Sequence, residues 1–355
     1  MARYFKHDLN IMGHRRIFFI ISLVLIVVSV GAICFRGLNM GVEFQGGTNI
    51  TLNNTGDITI EQMREACTAA GIENPTIQTS DSGATHGFII RTAETDPNVA
   101  SASALQLTTS LNLPDTAYEV QTIGPDWGAN IFQTSMIAFI VAIIVLIVYI
   151  SIRFEWKMSF TAVASLIHDI VILIGVYALF QLEITPNVVA AVLTIMGYSL
   201  YDTVVSFHRI NENASPNMQH SYMTIANHSY NQVLARTINT TLTSLIPVLA
   251  MLFFGGDTLK DFAFAMTIGL ILGAYSSFGI AVPLFAMWKS REVEYAKLAV
   301  KYGEGIGDFS NEQLPDMLKE ENIPASAKRA ASNRRGKGRG DKGGGGESSY
   351  LFSDD

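Results

Sequence analysis

The chain has 355 residues, of which 49% are hydrophobic and only 15% are charged, and its formal net charge is −7 at pH 7. Ordinary soluble domains carry roughly 25% charged residues, so this composition argues against an ordinary soluble protein. The apolar residues are also concentrated in a few long runs. The sequence therefore indicates a protein that crosses a membrane.

Six apolar segments are long enough to cross a hydrocarbon core of about 30 Å, which takes about 20 helical residues. They predict an α-helical polytopic membrane protein with six transmembrane helices. We interpret the first segment as a retained helix, because its apolar run is longer than the roughly 7–15 residues of a typical signal peptide. The segments are 17–36, 132–152, 159–181, 186–207, 232–254 and 262–287.

The distribution of lysine and arginine predicts the orientation of these helices, because cytoplasmic connections carry an excess of both. Bases precede the first helix, lie between the second and third, and follow the fourth. We therefore expect a cytoplasmic-membrane protein with 1–16 as its cytoplasmic N-terminus and 288–355 as its cytoplasmic tail. The bases concerned are Arg3, Lys6, Arg15, Arg16, Arg153, Lys157 and Arg209.

Residues 37–128 form the largest predicted non-membrane domain, which lies outside the cytoplasm in this orientation. They hold eleven acidic and two basic residues, a balance that argues against nucleic acid, whose binding needs clustered Lys and Arg. Thr59 and Gln62 form a capping box, and Asp96–Pro97 begins a second helix. With the alternating strands between them, these signals predict the order β-α-β-β-α-β of a small α+β, ferredoxin-like domain.

The chain shows no motif of a hydrolase, a nucleotide-binding protein or a metal site, so we predict that it is not an enzyme. Cys34 belongs to the first membrane helix and Cys67 to the outer domain. A disulfide between them is not expected. The sequence therefore predicts two unpaired thiols.

The tail is expected to be disordered from about residue 325, because it is low in complexity and rich in glycine. Residues 328–342 hold seven bases against one acid. Positive charge on the cytoplasmic side of the membrane accounts for this run. The alternative is contact with anionic lipid or with ribosomal RNA.

Four ionisable residues lie within the predicted spans of the 132–287 bundle: His168 and Asp169 in the third helix, Asp202 in the fourth and Arg236 in the fifth. A charge near the bilayer centre costs roughly 2.5–3.5 kcal/mol on insertion scales, so such residues face the bundle interior and pair with one another. Because the fourth helix runs inward and the fifth outward, Asp202 and Arg236 lie at similar depth and could meet. Either they form an ion pair that only locks the bundle, or the carboxylate is switched by protonation.

The first half of the fifth helix is polar, which suits a hydrated cleft better than a lipid-facing surface. We also expect Pro247 to interrupt this helix. In the sixth helix, Gly269 and Gly273 have the GxxxG spacing that lets helices approach closely. The candidate cleft residues are Asn239, Thr240 and Thr243.

Several of these stretches together resemble the SecD/SecF family. MGVEFQGGTNITL, with Glu43, Gly46 and Gly47, is similar to the glycine-bearing motif that follows the first helix in that family. IGPDWG, HD, GYSLYDTVVSFHRINEN and ARTINTTLTSLIPVLAMLFFGG then continue the resemblance in order. A single six-helix unit with one small outer domain resembles the SecF branch. Two departures are Glu43, where the family has Asp, and Tyr201, where a smaller or polar residue is expected.

The resemblance implies an accessory subunit of the Sec protein translocase. Such a subunit pairs with SecD in a twelve-helix assembly of the RND type. It uses the proton-motive force to draw an unfolded polypeptide outward from the Sec translocon channel, in contact with membrane lipids. Protons are then the coupling ion and no cofactor is expected. The family's proton path corresponds to Asp202 and Arg236 here, and by a looser match to Asp169.

Two other functions fit the same residues. Half of an RND-type transporter for small molecules or lipids would share the proton chemistry, although it normally has larger outer domains than 37–128. A non-transporting membrane scaffold would use the charges only to organise a partner. Neutralising Asp202 separates these interpretations, because a scaffold would tolerate it.

Overall fold

The computed structural model describes residues 8–297, apart from 54, 83–84, 115–116, 215–219 and 294. Six helical spans are long and apolar enough to cross a membrane, so the chain is a multi-pass membrane protein. The spans are α1, α5, α6, α7, α8, and α9 with α10, joined by a π-helical turn at Ser277–Ala281. The helices are α1 (Arg15–Arg36), α2 (Val42–Gln45), α3 (Ile60–Ala69), α4 (Pro97–Ser110), α5 (Pro125–Arg153), α6 (Trp156–Phe180), α7 (Pro186–Asn213), α8 (Tyr222–Phe254), α9 (Asp257–Ser276) and α10 (Val282–Lys289).

Helices α5 and α8 begin well before the apolar segments that predicted them. Helix α5 starts at Pro125, where proline suits the first helical position because its missing N–H would have no partner there. Helix α8 starts at Tyr222, and the Ser221 side chain accepts a hydrogen bond from the N–H of Thr224. Helical structure therefore extends α7 to Asn213 and α8 back to Tyr222, and the added turns of α8 contain buried polar residues such as Asn227 and Ser229.

Two irregularities in the last two spans differ from the prediction. Helix α8 continues through Pro247 to Phe254 without the interruption expected at the proline. Proline is tolerated in membrane helices because neighbouring groups satisfy the carbonyl it frees. In the last span, the π-helical turn was not predicted, and such turns are often found at functional sites.

A four-stranded antiparallel sheet forms the outer domain, with two helices between its strands in the predicted β-α-β-β-α-β order. Both predicted helix starts are confirmed, since Thr59 and Gln62 form a capping box and Asp96 caps α4. The core contains Ile50, Ile90 and other buried apolar side chains. The strands are β2 (Gly47–Leu52), β3 (Thr76–Ser82), β4 (Thr85–Thr92) and β5 (Tyr118–Ile123), and their order in the sheet is β3-β4-β2-β5.

A second, two-stranded sheet ties the outer domain to the bundle. Strand β1 (Asn39–Met40) follows α1, and β6 (Glu183–Ile184) lies between α6 and α7. The two strands pair in parallel, with Asn39 opposite Glu183. Each is too short to show a sequence pattern, so this pairing was not predicted.

Close helix packing in the bundle depends on glycine. A Cβ placed on Gly269 would lie 2.1 Å from Cδ1 of Ile195, and one on Gly273 would lie 2.9 Å from Cβ of Ser199. Helix α9 can therefore approach α7 only because these positions lack side chains. Both predicted packing glycines contact the same neighbouring helix.

The cysteine prediction is confirmed, since Cys34 and Cys67 are both free. Cys67 is buried in the outer domain, and burial raises its pKa to about 11. The thiol is therefore protonated at neutral pH. The predictions for the tail beyond residue 297, including disorder from about 325 and the basic run at 328–342, lie outside the described residues.

Candidate functional site

Asp169 is the most heavily hydrogen-bonded carboxylate in the bundle. Its side chain lies on α6 and only 2% of the residue surface is exposed. The hydroxyl of Ser199 on α7 donates to its Oδ2 over 2.8 Å, and the hydroxyl of Ser276 on α9 donates to the same atom over 2.7 Å. Asp169 therefore joins three of the membrane helices.

His168 supplies a further contact to this carboxylate. Its Nδ1 lies 3.0 Å from Oδ1 of Asp169, and both side chains are buried. Nε2 of His168 is buried with no hydrogen-bond partner among the described residues. The ring of Tyr275 lies beside the imidazole, with the ring centres 6.1 Å apart. We call Asp169, His168, Ser199 and Ser276 the Asp169 cluster.

The hydroxyl contacts continue from the Asp169 cluster into the π-helical turn. Ser277 begins this turn, and its hydroxyl lies 3.0 Å from the hydroxyl of Thr203 on α7. Ser277 also donates to the carbonyl of Gly273. Two consecutive serines at this point thus contact different helices, Ser276 contacting α6 and Ser277 contacting α7.

Asp202 is buried as deeply as Asp169, but its carboxylate is less fully hydrogen-bonded. It is 3% exposed, and its Oδ2 has no hydrogen-bond partner among the described residues. It follows Ser199, which donates to Asp169, by three positions on α7, a rise of about 4.5 Å along the helix axis. The fully buried Tyr230 on α8 lies close to Asp202.

Asp202 and Arg236, which the sequence suggested could meet, form no hydrogen bond or ion pair with each other in the described residues. Arg236 on α8 instead donates a hydrogen bond from Nη2 to the hydroxyl of Tyr201, and its guanidinium lies 5.4 Å from the centre of that ring. Arg236 still lies within electrostatic range of Asp202. The aromatic residue at 201, where something smaller or polar was expected, draws the guanidinium to the outer surface of the bundle.

The predicted polar face of α8 lies on the surface of the chain. Arg236, Asn239 and Thr243 are exposed and Thr240 is partly buried. The Thr240 hydroxyl donates to the carbonyl of Arg236, and the Thr243 hydroxyl donates to that of Asn239. Such bonds to the preceding turn satisfy hydroxyls without a partner helix. With Tyr201, which is 47% exposed, these residues form what we call the polar surface of α7 and α8.

The glycine-bearing motif after α1 packs against the start of α5. Gly46 has φ +81°, a conformation that favours glycine, and a Cβ there would lie 2.9 Å from Cα of Pro125. Gly47 has φ +139°, and a Cβ there would lie 2.5 Å from the carbonyl oxygen of Thr92. Oε2 of Glu43 is buried with no hydrogen-bond partner among the described residues. The motif therefore shapes a tight junction, distant in sequence from the intramembrane carboxylates.

Sequence reasoning missed the hydroxyl groups that organise the site. Ser199, Ser276 and Ser277 bond across helices, and Tyr201 bonds to Arg236. The signal that could have found them is the run of small polar residues at helical spacing around Asp202 and in the stretch YSSFG. In the part of the chain that the structure describes, no group of three His, Cys, Asp or Glu side chains could hold a metal ion.

Two family descriptions match the sequence. "Protein export membrane protein SecD/SecF, C-terminal" matches residues 105–291, and "SecD/SecF GG Motif" matches residues 31–53. The chain is 32% identical to the protein translocase subunit SecF of Streptomyces coelicolor, over 93% of both chains. It is also 32% identical to the protein translocase subunit SecDF of Thermus thermophilus, over 79% of this chain and 39% of that one.

A solved structure shows the same architecture. The crystal structure of SecDF, a translocon-associated membrane protein from Thermus thermophilus, superposes with a TM-score of 0.71 at 30% identity. The superposition covers 80% of this chain and 39% of that chain, so the chain corresponds to one part of the fused protein. The family descriptions and the relatives agree, and the chain belongs to the SecF branch of the SecD/SecF family of protein-export membrane proteins.

Proposed function

We propose that the chain is an accessory subunit of the Sec protein translocase that uses the proton-motive force to promote export of polypeptides. The family membership supports the role in export. Protonation and deprotonation of Asp202 drive the conformational change in this proposal. A proton moving down the membrane potential supplies about 2.3 kcal/mol per 100 mV, which is comparable with the cost of a buried charge at the centre of a membrane helix.

The single observation that carries the proton chemistry is the state of Asp202. Its carboxylate is buried, its Oδ2 lacks a hydrogen-bond partner among the described residues, and Arg236 acts on it electrostatically without contacting it. A carboxylate that is buried and incompletely paired gains little from remaining charged. Proton binding would therefore release Arg236 from its attraction and shift the packing of α7 against α8.

Asp169 has a different role in this proposal. Its two serine donors and His168 already satisfy it, so its charge is held in place. We assign it to fixing the positions of α6, α7 and α9 around the proton-binding residue. It takes part in the path only as the neighbour of Asp202.

The polar surface of α7 and α8 supports a partnership with SecD. Arg236, Asn239 and Thr243 are exposed on a span that lies in the membrane, where polar groups must face protein or water. One translocase relative carries the corresponding region in a longer SecDF chain. The helices of SecD would cover this surface, enclose a hydrated cleft and complete a twelve-helix assembly of the RND type.

We further propose that residues 37–128 form a ferredoxin-like domain outside the cytoplasm and that both termini are cytoplasmic. The strand order β3-β4-β2-β5 with two crossing helices supports the fold assignment. The excess of Lys and Arg before α1 and between α5 and α6 supports the orientation in the cytoplasmic membrane. The acidic outer domain then faces the compartment into which the polypeptide emerges.

Export in cells whose only copy carries Asp202→Asn tests this function. Asparagine keeps the size and polarity of the side chain but cannot carry a proton as a carboxylate does. We expect export of a secreted reporter to fall while membrane abundance and association with SecD stay normal. Arg236→Lys, which keeps the charge and loses the planar guanidinium, is run beside it. Normal export in the Asp202→Asn cells would contradict the proposal and favour the scaffold.

A further inference from the structure

A buried ion pair joins the outer domain to the helical bundle. Nε of Arg91 lies 2.8 Å from Oε2 of Glu183, and the two side chains are only 11% and 6% exposed. Arg91 belongs to β4, a central strand of the outer sheet, where it lies opposite Asn49 of β2. Glu183 belongs to β6. The pair therefore connects two parts of the molecule that are otherwise far apart in sequence.

Glu183 lies in the short segment that connects the two helices carrying the buried aspartates. Strand β6 is the connection between α6 and α7, the helices that carry Asp169 and Asp202. Its parallel pairing with β1 fixes the same connection to the segment that leads into the outer domain. A shift of α7 relative to α6 therefore displaces this connection, since it is attached to the ends of both helices.

Two further carboxylates surround the pair. Glu43 on α2 and Asp261 on α9 both lie close enough to Glu183 for their negative charges to act on it. The Thr185 hydroxyl donates to Oδ2 of Asp261 over 3.4 Å. Elements from the outer domain, the motif after α1, the α6–α7 connection and the last span therefore meet at one charged junction.

Stability alone explains this junction poorly. Buried ion pairs contribute little net stability, because removing both charges from water costs about as much as their attraction returns. Nε and Nη1 of Arg91, Oε2 of Glu183 and Oε2 of Glu43 are also buried without hydrogen-bond partners among the described residues, so the 2.8 Å contact of the pair is an ion pair without the geometry of a hydrogen bond. An arrangement of this kind suits a contact that forms and breaks during a conformational change better than a contact that only stabilises the fold.

We propose that the Arg91–Glu183 pair is the joint through which movement of α6 and α7 is transmitted to the outer domain. Arg91 and Glu183 are positioning residues in this proposal, since neither binds the transported proton. When α7 moves after Asp202 changes its protonation state, Glu183 moves with the connection and carries Arg91 and strand β4. The inference rests on the proposed function for its biological purpose, but its physical content is a coupling between Asp202 and the outer domain.

A distance measurement between two spin labels tests the coupling without reference to export. One label replaces exposed Glu65 on α3 and the other replaces exposed Phe254 at the end of α8, in a full-length Cys34→Ser chain within lipid nanodiscs. Asp202→Asn mimics the protonated carboxylate. We expect it to shift the distance distribution when Arg91 and Glu183 are intact, and to leave the distribution unchanged when Glu183→Gln is also present.

Two control variants test whether the pair transmits movement or only stabilises the fold. The exchange of charges, Arg91→Glu with Glu183→Arg, should restore the response to Asp202→Asn at least in part. Arg91→Lys keeps the charge and should retain a weaker response. A response that is equally large with and without Glu183→Gln would overturn the proposal, and so would the absence of any response in the chain with Arg91 and Glu183 intact.

Export measurements separate a failure of the joint from a failure of the proposed function. In vesicles with SecD, Glu183→Gln should lower proton-driven export at least about fivefold, the lower end of an allosteric coupling, while proton uptake persists. If export by the unchanged chain does not respond to the proton gradient, the proposed function fails, and the label distances still decide the joint. If proton uptake and export fall together in Glu183→Gln, the pair is only structural.

Discussion

The two buried aspartates of the bundle lie in contrasting surroundings. Asp169 accepts hydrogen bonds from serines on two other helices and contacts His168. Asp202 has a buried oxygen without a hydrogen-bond partner among the described residues, and the nearest guanidinium bonds to Tyr201. The two carboxylates are thus equally buried but differ greatly in their hydrogen bonding.

The proposed function assigns a different role to each carboxylate on the basis of this difference. Hydrogen bonds from serines on two other helices hold the Asp169 side chain in place. The surroundings of Asp202 provide little of this support. In the sequence both residues stood out because each is an acid within a membrane span. Their hydrogen-bond donors distinguish them: the proposed structural carboxylate has several, and the proposed proton-binding carboxylate has few.

Removing the Asp169 carboxylate should give the largest loss of stability. Asp169→Ala leaves the hydroxyls of Ser199 and Ser276 without their acceptor, and we expect the free energy of unfolding to fall by about 3 kcal/mol, as for other buried networks that lose one member. Thermal unfolding in detergent, followed by near-ultraviolet circular dichroism, measures the change. Asp169→Asn keeps an acceptor oxygen and should lose much less. Equal losses in both variants would mean that charge, not hydrogen bonding, holds the cluster.

Filling the space at Gly273 should be next in size. A Cβ at this position lies 2.9 Å from Cβ and 3.3 Å from Cα of Ser199, so Gly273→Ala must push α9 away from α7 and lengthen the bond from Ser199 to Asp169. Overpacking of this kind costs about 1–3 kcal/mol, which the same unfolding experiment detects. Gly197→Ala is the matched control on α7, because a Cβ there meets nothing within 4 Å. If both variants behave alike, the close approach of α9 to α7 is not what the glycine provides.

A substitution beside Asp202 should have a smaller effect on stability. Tyr201→Phe removes the hydroxyl that accepts from Arg236 but keeps the ring over which the guanidinium lies. One hydrogen bond to a charged group contributes roughly 1.5–3 kcal/mol, and less where water can replace it. We expect Arg236 to turn toward Asp202 and proton-driven export to become less steeply dependent on pH. A pH profile of export in vesicles provides the measurement, and an unchanged profile would show that Tyr201 does not control the arginine.

The smallest effect concerns pH and the junction outside the membrane. Burial raises the pKa of Glu183, Arg91 opposes this shift, and Glu43 and Asp261 add to it. A group whose pKa is raised by folding stabilises the folded junction below its ordinary pKa, about 4.3 for glutamate, and this contribution is lost as pH rises through the raised value. Hydrogen exchange of β1 and β6 should therefore be better protected at acid pH, after correction for intrinsic exchange. Glu183→Gln should abolish that dependence, and its persistence would place the titrating group elsewhere.

Local sequence patterns were sufficient for much of the fold. The apolar runs predicted six spans, and Thr59, Gln62 and Asp96 marked helix starts that the structure contains. These features depend on neighbouring residues only. The early start of α8 was missed because its first turns are polar, although they are buried by other parts of the chain.

The contacts that define the site could not be derived in the same way. Which side chain meets Asp169 depends on the rotation and depth of α7 and α9, and these are set by glycine packing at Gly269 and Gly273. The sequence suggested that Arg236 could meet Asp202, but its guanidinium instead contacts the ring and hydroxyl of Tyr201. The two-residue strands β1 and β6 carry no periodicity at all. Tertiary packing decides each of these contacts.

Infrared difference spectroscopy of the full chain with SecD in membranes tests the central claim most directly. Changing the pH should produce a protonated-carboxyl C=O band from the residue that takes up the proton. If Asp202 is that residue, the band disappears in Asp202→Asn and remains in Asp169→Asn. A band that persists in Asp202→Asn and disappears in Asp169→Asn would contradict the assignment and make the Asp169 cluster the proton-binding site.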